Sequence, residues 1–473
     1  MRKLGCFSVI ALVVIVSLLA QVGIASAQCK KLVVIWNGGT CPEAFLNIAK
    51  EYTKETGVEI VGNFVGYGPQ WHDKIAAEFA AKGAGFDLAA WDSQSVAEFA
   101  GAGHCLQLND RIEKSTSLAL KDFDARAIAR YGEFPDGSGK IWALPINQDS
   151  MALVYRKDLF DDPKEKEAFK KKYGYDLAVP ETYTQLRDIA EFFTRPDQGL
   201  YGFAQYGGRE YDFATSSANS YIWSFGGELW NPQTNEFEGY INSPASVDAI
   251  QFFIDMFKFS PPGSNNWGYD EINSALQQGK VAMGEQWFFF FASIDDPKVS
   301  KIAGKAGFAN LPGQVGRDGK FRREVQMGGQ GIGINIYSKC VEESWKFIEW
   351  WETKAPQWAY GQICQSARLD VVDDPKWQGL NKWNKAFSNA VKMTNDYWHL
   401  PEYMILLDIL QEEITNAIAG KKTVKQAMDD CAKRQEREIT RGGYKITRTA
   451  NIPEVPDQLV TPVGKDKIEP LNN

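Results

Sequence analysis

The chain has 473 residues, with 52 Lys and Arg against 60 Asp and Glu and a formal net charge of −8. Such an acidic balance speaks against nucleic acid and anionic lipid as partners. The length exceeds what one hydrophobic core supports, so two lobes are expected, and 15 Trp, 18 Tyr and 28 Phe are more aromatic surface than cores alone require.

Arg2 and Lys3 precede an almost wholly apolar run over 7–20, closed by Ala25-Ser26-Ala27. This is the charged start, short apolar stretch and A-x-A site of a secretory leader, so residues 1–27 are expected to be removed. Lipid attachment at Cys29 would need a small residue before it, and Gln28 stands there. The expectation is an exported, unanchored, soluble protein of a Gram-negative periplasm. No later stretch reaches the length of a spanning helix.

Residues 31–36 (KLVVIW) read as a strand running into the turn Asn37-Gly38-Gly39. Pro42 suits a first helical turn; Ala44, Phe45, Ile48 and Tyr52 recur at helical spacing, and Gly57 closes that helix. A strand over 58–65, a helix over 71–82, a strand over 86–91 (FDLAAW) and a helix from Ser95 follow. Alternation of this kind predicts a parallel or mixed sheet covered on both faces.

Further along, Pro180-Glu181-Thr182-Tyr183 opens a helix carrying Leu186, Ile189, Ala190 and Phe193 on one face. Ser243 caps another with Ile250, Phe253 and Phe257. Residues 325–337 are strand-like despite Gly328, Gly329, Gly331 and Gly333. The segment 345–358 reads as an aromatic helix, and 403–418 with 424–439 as a helical pair. Residues 443–473, rich in Pro and charge, read as an extended tail.

Cys29, Cys41, Cys105, Cys340, Cys364 and Cys431 outlast the leader, an even number that suits export and up to three disulfides. Cys29 precedes the first strand and Cys105 follows a helix of the same lobe, so a Cys29–Cys105 bridge is the favoured pair; buried free thiols are the alternative. There is no C-x-x-C pair, and His72, His104 and His399 lack ligand spacing, so no metal and no cofactor are expected.

Seven segments stand in order along the chain: 45–58 (FLNIAKEYTKETGV), 85–109 (GFDLAAWDSQSVAEFAGAGHCLQLN), 143–160 (ALPINQDSMALVYRKDLF), 178–186, 225–229 (FGGEL), 275–287 (ALQQGKVAMGEQW) and 327–334. Together they resemble the large bacterial extracellular solute-binding proteins of ABC importers, the group that includes maltose- and glucose-binding proteins. The resemblance implies an α/β, two-lobed periplasmic-binding-protein fold, each lobe a mixed sheet flanked by helices, with several hinge crossings. By analogy, 28–143 plus 335–395 form one lobe and 144–334 plus 396–442 the other. It also implies a monomer that binds a small molecule, a sugar or polyol, and passes it to the transmembrane subunits of an ABC permease.

A sugar offers C–H faces to aromatic rings and hydroxyls to planar polar groups at its edge. Such residues are sought beyond strand ends, where open sheets bind ligands. Asn37 follows the first strand, and Trp91 with Asp92 stands at the close of the third; for Asn37 and Asp92 the alternative is a turn residue or helix cap. Tyr67 and Trp71 follow the second strand, with packing inside the lobe as the alternative for Trp71. Asp149 sits at the first crossing, and Gly328 would let backbone approach a ligand. Trp223 and Trp287 are the stacking candidates of the second lobe; the resemblance implies that role for Trp287, with 288–291 beside it as core. Arg368 matches a late family position, although Ala367 replaces the proline expected before it. An aromatic, cofactor-like or peptide ligand is the alternative cargo. A glycoside hydrolase using Glu228 and Glu285 is a more distant reading.

Overall fold

Eleven strands organise the part of the chain seen in the computed structural model, which describes residues 29–66 and 68–449. Tyr67, residues 450–473 and residues 1–28, which hold the expected leader, lie outside the described residues. The strands are β1 Lys31–Asn37, β2 Glu59–Val65, β3 Leu88–Asp92, β4 Ala143–Arg156, β5 Tyr201–Ala204, β6 Val281–Trp287, β7 Ala306–Ala309, β8 Gln314–Val315, β9 Phe321–Arg322, β10 Val325–Ile334 and β11 Thr394–Asn395. β2, β1, β3, β10, β4, β6 and β5 lie side by side in that order, with β7 added on β4 and β11 on β10.

The expected helices arise from local chemistry. Thr40–Thr56 ends at Gly57 in the left-handed conformation (φ 75°), and Pro69–Ala80 buries Trp71, Ile75 and Phe79 at helical spacing. Thr182 and Gln185 close a reciprocal capping box on Tyr183–Phe193, and Ser243 caps Pro244–Met256. Tyr403–Ile418 and Val424–Arg441 form the late pair. The aromatic helix is broken in two, Val341–Trp351 and Lys354–Tyr360. Among the described residues no helix is long and apolar enough to cross a membrane.

Two separate apolar cores give the two lobes. One gathers Val34, Phe45, Phe79, Trp91, Phe347 and Trp351; the other gathers Leu186, Phe193, Trp223, Phe253, Phe387 and Leu410. The chain passes between them within β4, after Ile146 and before Met151, and within β10, after Val325 and before Ile332. A third passage lies between Ala367 and Val371, earlier than the expected boundary at 395. The reason is aromatic packing: Phe387 meets Phe288 at 5.2 Å and Trp377 at 6.0 Å, which holds 371–391 in the second core. The first residues of the expected tail are also tied down, because Arg448 pairs with Glu436 and the Thr449 N–H donates to Glu236 at 2.7 Å.

The expected Cys29–Cys105 bridge is not formed. Cys29 joins Cys340 and Cys41 joins Cys364, while Cys105 and Cys431 are buried thiols. The direction of β10 explains this. It runs antiparallel to β3, itself parallel to β1, so the residues after β10 return to the edge where β1 begins. Cys340 arrives there, whereas Cys105 turns into the core. The bridges span 311 and 323 residues of sequence, and such long closures restrict the unfolded chain strongly. Replacing either pair with Ser is expected to lower unfolding free energy by about 2–5 kcal/mol, read from denaturant midpoints. Unchanged midpoints would refute the pairing.

Candidate functional site

A cavity of about 930 Å³ opens where the two halves of the sheet meet. Its walls come from strand ends and crossings: Trp36 and Asn37 at the end of β1, Asp92 to Gln94 at and just after the end of β3, Asn147 and Asp149 in mid-β4, Trp287 at the end of β6, and Met327 to Gln330 in β10. Strand carboxyl ends are where an open sheet leaves such room. The segment 210–213, helix Tyr269–Gln277, and Phe289 and Phe290 close it from the second lobe.

Of the residues expected here, Asn37, Asp92, Asp149, Trp287 and Gly328 line the cavity. Tyr67 lies outside the described residues. Trp71, Trp91, Trp223 and Arg368 do not line it, each for an identifiable reason. Trp71 shares the core-facing side of its helix with Ile75 and Phe79. Trp91 precedes Asp92 on a strand, so the two point to opposite faces, and its ring lies on Gly333. Trp223 falls within Phe213–Ser224, a helix buried on every side. Arg368 is held by Asp122, Asp370 and the Glu352 carbonyl.

Trp287 rests directly on Gly328: a Cβ at 328 would come within 2.5 Å of the Trp287 ring. Gly329 follows at φ 100° against the backbone of Gln148, and the pairing of β10 with β4 shifts register between Gln330 and Gly331. The crossing is therefore the irregular part of an otherwise continuous ladder. At the site, Gln330 donates to Asp92 at 3.1 Å and through its backbone N–H to Asn147 at 2.8 Å.

The second lobe supplies residues that no sequence pattern indicated. Tyr211 adopts a left-handed backbone (φ 47°), strained for a side chain of this size, and its hydroxyl donates to Asp92 across the cleft. Gln411 holds that turn by donating to the Arg209 and Tyr211 carbonyls, at 3.0 and 3.1 Å. Asp212 accepts from Tyr269 at 2.6 Å. Phe289 and Phe290 face the cavity, whereas Phe288 and Phe291 are core, so 288–291 is only half the core run expected.

Burial raises three acids of this cavity. Asp92 is pushed up to about 6, with Tyr211 and Gln330 opposing the rise, and Asp149 to about 7 against backbone N–H donors from Ser150 and Phe289. Asp212 is also pushed up to about 7, against the Tyr269 bond and aided by the nearby Asp92. Asn37 is 5% exposed; its amide nitrogen donates to the Gly38 carbonyl at 3.0 Å, and its Oδ1 has no partner among the described residues.

Glu228 and Glu285 do not face each other across the cavity; neither lines it. Glu285 is 0% exposed inside the second core, where Ser217 donates to Oε2 and Oε1 has no partner among the described residues. Burial pushes it from 4.5 up to about 8. The folded protein therefore keeps a proton that the unfolded chain releases near the ordinary value. This contribution is intact below about pH 4 and is lost as pH rises toward 8. Between about pH 5 and pH 9 the protein is expected to lose several kcal/mol relative to Glu285→Gln, at roughly 1.4 kcal/mol per tenfold change in proton binding. Parallel stability–pH curves for the two proteins would contradict this.

The family model for "Bacterial extracellular solute-binding protein" matches residues 38–358. A Sinorhizobium fredii protein named "Probable amino-acid ABC transporter periplasmic-binding protein y4oP" is 22% identical over 426 residues, 88% of this chain and 91% of its own. The mannitol-binding protein of Pseudomonas aeruginosa is 24% identical over 335 residues, 65% of this chain and 71% of its own. Among solved structures, an ABC transporter solute-binding protein from Agrobacterium radiobacter K84 in complex with ribitol aligns over 87% of this chain and 99% of its own, with TM-score 0.73 and 22% identity. That likeness concerns the fold.

Proposed function

The chain belongs to the bacterial extracellular solute-binding proteins, and from that membership we propose that it binds a carbohydrate or polyol between its lobes and delivers it to an ABC permease. The observation that carries this reading is the make-up of the cavity. Buried acceptors (Asn37, Asp92, Asp149, Asp212) stand beside aromatic faces (Trp287, Phe213, Phe289), the two surfaces that hydroxyls and C–H faces require. Relatives named for mannitol, and a similar fold holding ribitol, agree with that chemistry. A free amino acid suits the site less well, because among the described residues no Lys, Arg or His lines it to receive a carboxylate.

On this reading the exported chain works as a periplasmic monomer and returns its ligand chemically unchanged. Closing the lobes over the ligand creates the surface that a permease recognises. Titration with mannitol, ribitol, maltose and a wider set of neutral sugars is expected to give a saturable change in Trp fluorescence and a raised Tm. Absence of any response across the set, or turnover of a glycoside, would reject the proposal.

A further inference from the structure

Among the described residues five carboxylates line the cavity, Asp92, Asp149, Glu210, Asp212 and Asp270, and no Lys, Arg or His does. Asp92, Asp149 and Asp212 are among the buried polar groups of the molecule. We propose that the cleft selects a carbohydrate or polyol bearing an ammonium group, and rejects carboxylated and phosphorylated ones. This rests on the carbohydrate reading and adds a charge to it.

Burying acids without counter-charge is unfavourable, and although hydrogen-bond donors reach these three aspartates, no cationic side chain among the described residues lines the cavity to neutralise them. Asp149 is met by backbone N–H groups alone, and Asp212 by the Tyr269 hydroxyl and its own backbone. Asp92 has Tyr211, Gln330 and the partial help of His72, while Asp396 behind the wall adds negative potential to both Asp92 and Asp212. A bound ammonium supplies the missing charge and donates up to three hydrogen bonds. An anion would meet repulsion and find no cationic donor.

Asn37 points the same way independently. Its Nδ2 is already committed to the Gly38 carbonyl, which fixes the amide orientation and leaves Oδ1 as a buried acceptor awaiting a donor. A bare metal ion is a poorer fit, since among the described residues no three His, Cys, Asp or Glu side chains are placed to hold one. The aromatic faces of Trp287, Phe213 and Phe289 also favour a cation with an organic frame.

The test is calorimetric titration of the full mature chain with matched series: glucosamine, glucose and glucuronate; galactosamine, galactose and galacturonate; 1-amino-1-deoxyglucitol, glucitol and gluconate. Putrescine serves as an amine without hydroxyls. Within any series that binds, the amine is expected to bind at least tenfold more tightly than the neutral member, with the acid undetectable. Asp149→Asn and Asp212→Asn are expected to cut that amine preference at least fivefold, with folding checked by circular dichroism. A neutral member binding as tightly as its amine, or an acid binding at all, overturns the charge inference and leaves the carbohydrate reading standing. Putrescine binding while every series is silent overturns the carbohydrate reading and keeps the cationic preference. Silence throughout overturns both.

Discussion

Replacing Arg368 with Ala is expected to destabilise the fold by about 3 kcal/mol while leaving ligand affinity of the folded protein within threefold of the parent. The guanidinium is 4% exposed, lies over the Phe123 ring at 5.3 Å, and donates to Asp122 at 2.9 Å, Asp370 at 2.8 Å and the Glu352 carbonyl at 2.6 Å. Removing one partner of such a network leaves the others facing burial alone. The cost sits at the lower end of the usual range because the Asp122 and Asp370 side chains keep some solvent access. Glu352 has none, and burial already pushes its carboxyl well up against the pull of Arg368. Without that pull Glu352 stays neutral more completely, which limits the damage. Urea unfolding and titration of the same samples check both halves. A tenfold loss of affinity with unchanged stability would return Arg368 to the ligand site.

The second large effect is expected at Gly329. With φ at 100°, this position lies in the region that residues with a side chain rarely adopt. An added Cβ would stand 2.7 Å from Gln148 Cα, 2.8 Å from the Asn147 carbonyl oxygen and 2.8 Å from the Asp149 nitrogen. These are backbone atoms, so relief requires moving β4 itself. Gly329→Ala is expected to cost about 2–4 kcal/mol from backbone strain and overpacking together. Because the displaced stretch carries Asn147 and Asp149 into the cavity, ligand affinity is expected to fall at least tenfold as well. Gly420→Ala is the control: it shares a positive φ, 68°, but its Cβ would meet nothing within 4 Å. It should lose about 1 kcal/mol and keep full affinity. Equal losses for the two variants would show that φ alone, not the contact with β4, sets the cost.

What the sequence conveyed, and what it withheld, follows from physics that differs along the chain. Helices such as Tyr183–Phe193 were legible because one face is apolar and Thr182 with Gln185 announces the start. Phe213–Ser224 gives no such sign. It is buried all round, so Thr215, Ser216, Ser217, Asn219 and Ser220 occupy positions where a periodic reading expects apolar residues. Most of their polar groups find partners within the second core, as in the Ser217–Glu285 and Asn219–Gln326 bonds, while Asn219 Oδ1 has none among the described residues. The loop before this helix delivers Tyr211 and Asp212, so missing the helix meant missing half of the site.

Site residues next to strand ends were readable for the opposite reason. Asn37, Asp92 and Trp287 end β1, β3 and β6, and position along a strand fixes where they emerge. Trp71 and Trp91 misled because abundance of Trp says nothing about which face a Trp takes. Period two along β3 and the helical spacing of Trp71, Ile75 and Phe79 contain that information, and both turn the indoles inward.

The two disulfides also impose an order of events on oxidative folding. Both join a cysteine near the start of the described residues, Cys29 or Cys41, to one that follows more than 300 residues later, Cys340 or Cys364. In a chain translocated amino end first, at synthesis speeds of roughly 5–20 residues per second, the early thiols wait roughly 15–60 s for their partners. During that interval Cys29 and Cys41 are available as wrong partners for each other, and Cys105 is the next thiol to emerge as a third. Its placement inside the first core, paired through backbone with Asn335, means that only a completed lobe withdraws it. Oxidative folding of this protein is therefore a race between an early mispairing and the arrival of residues 340–364.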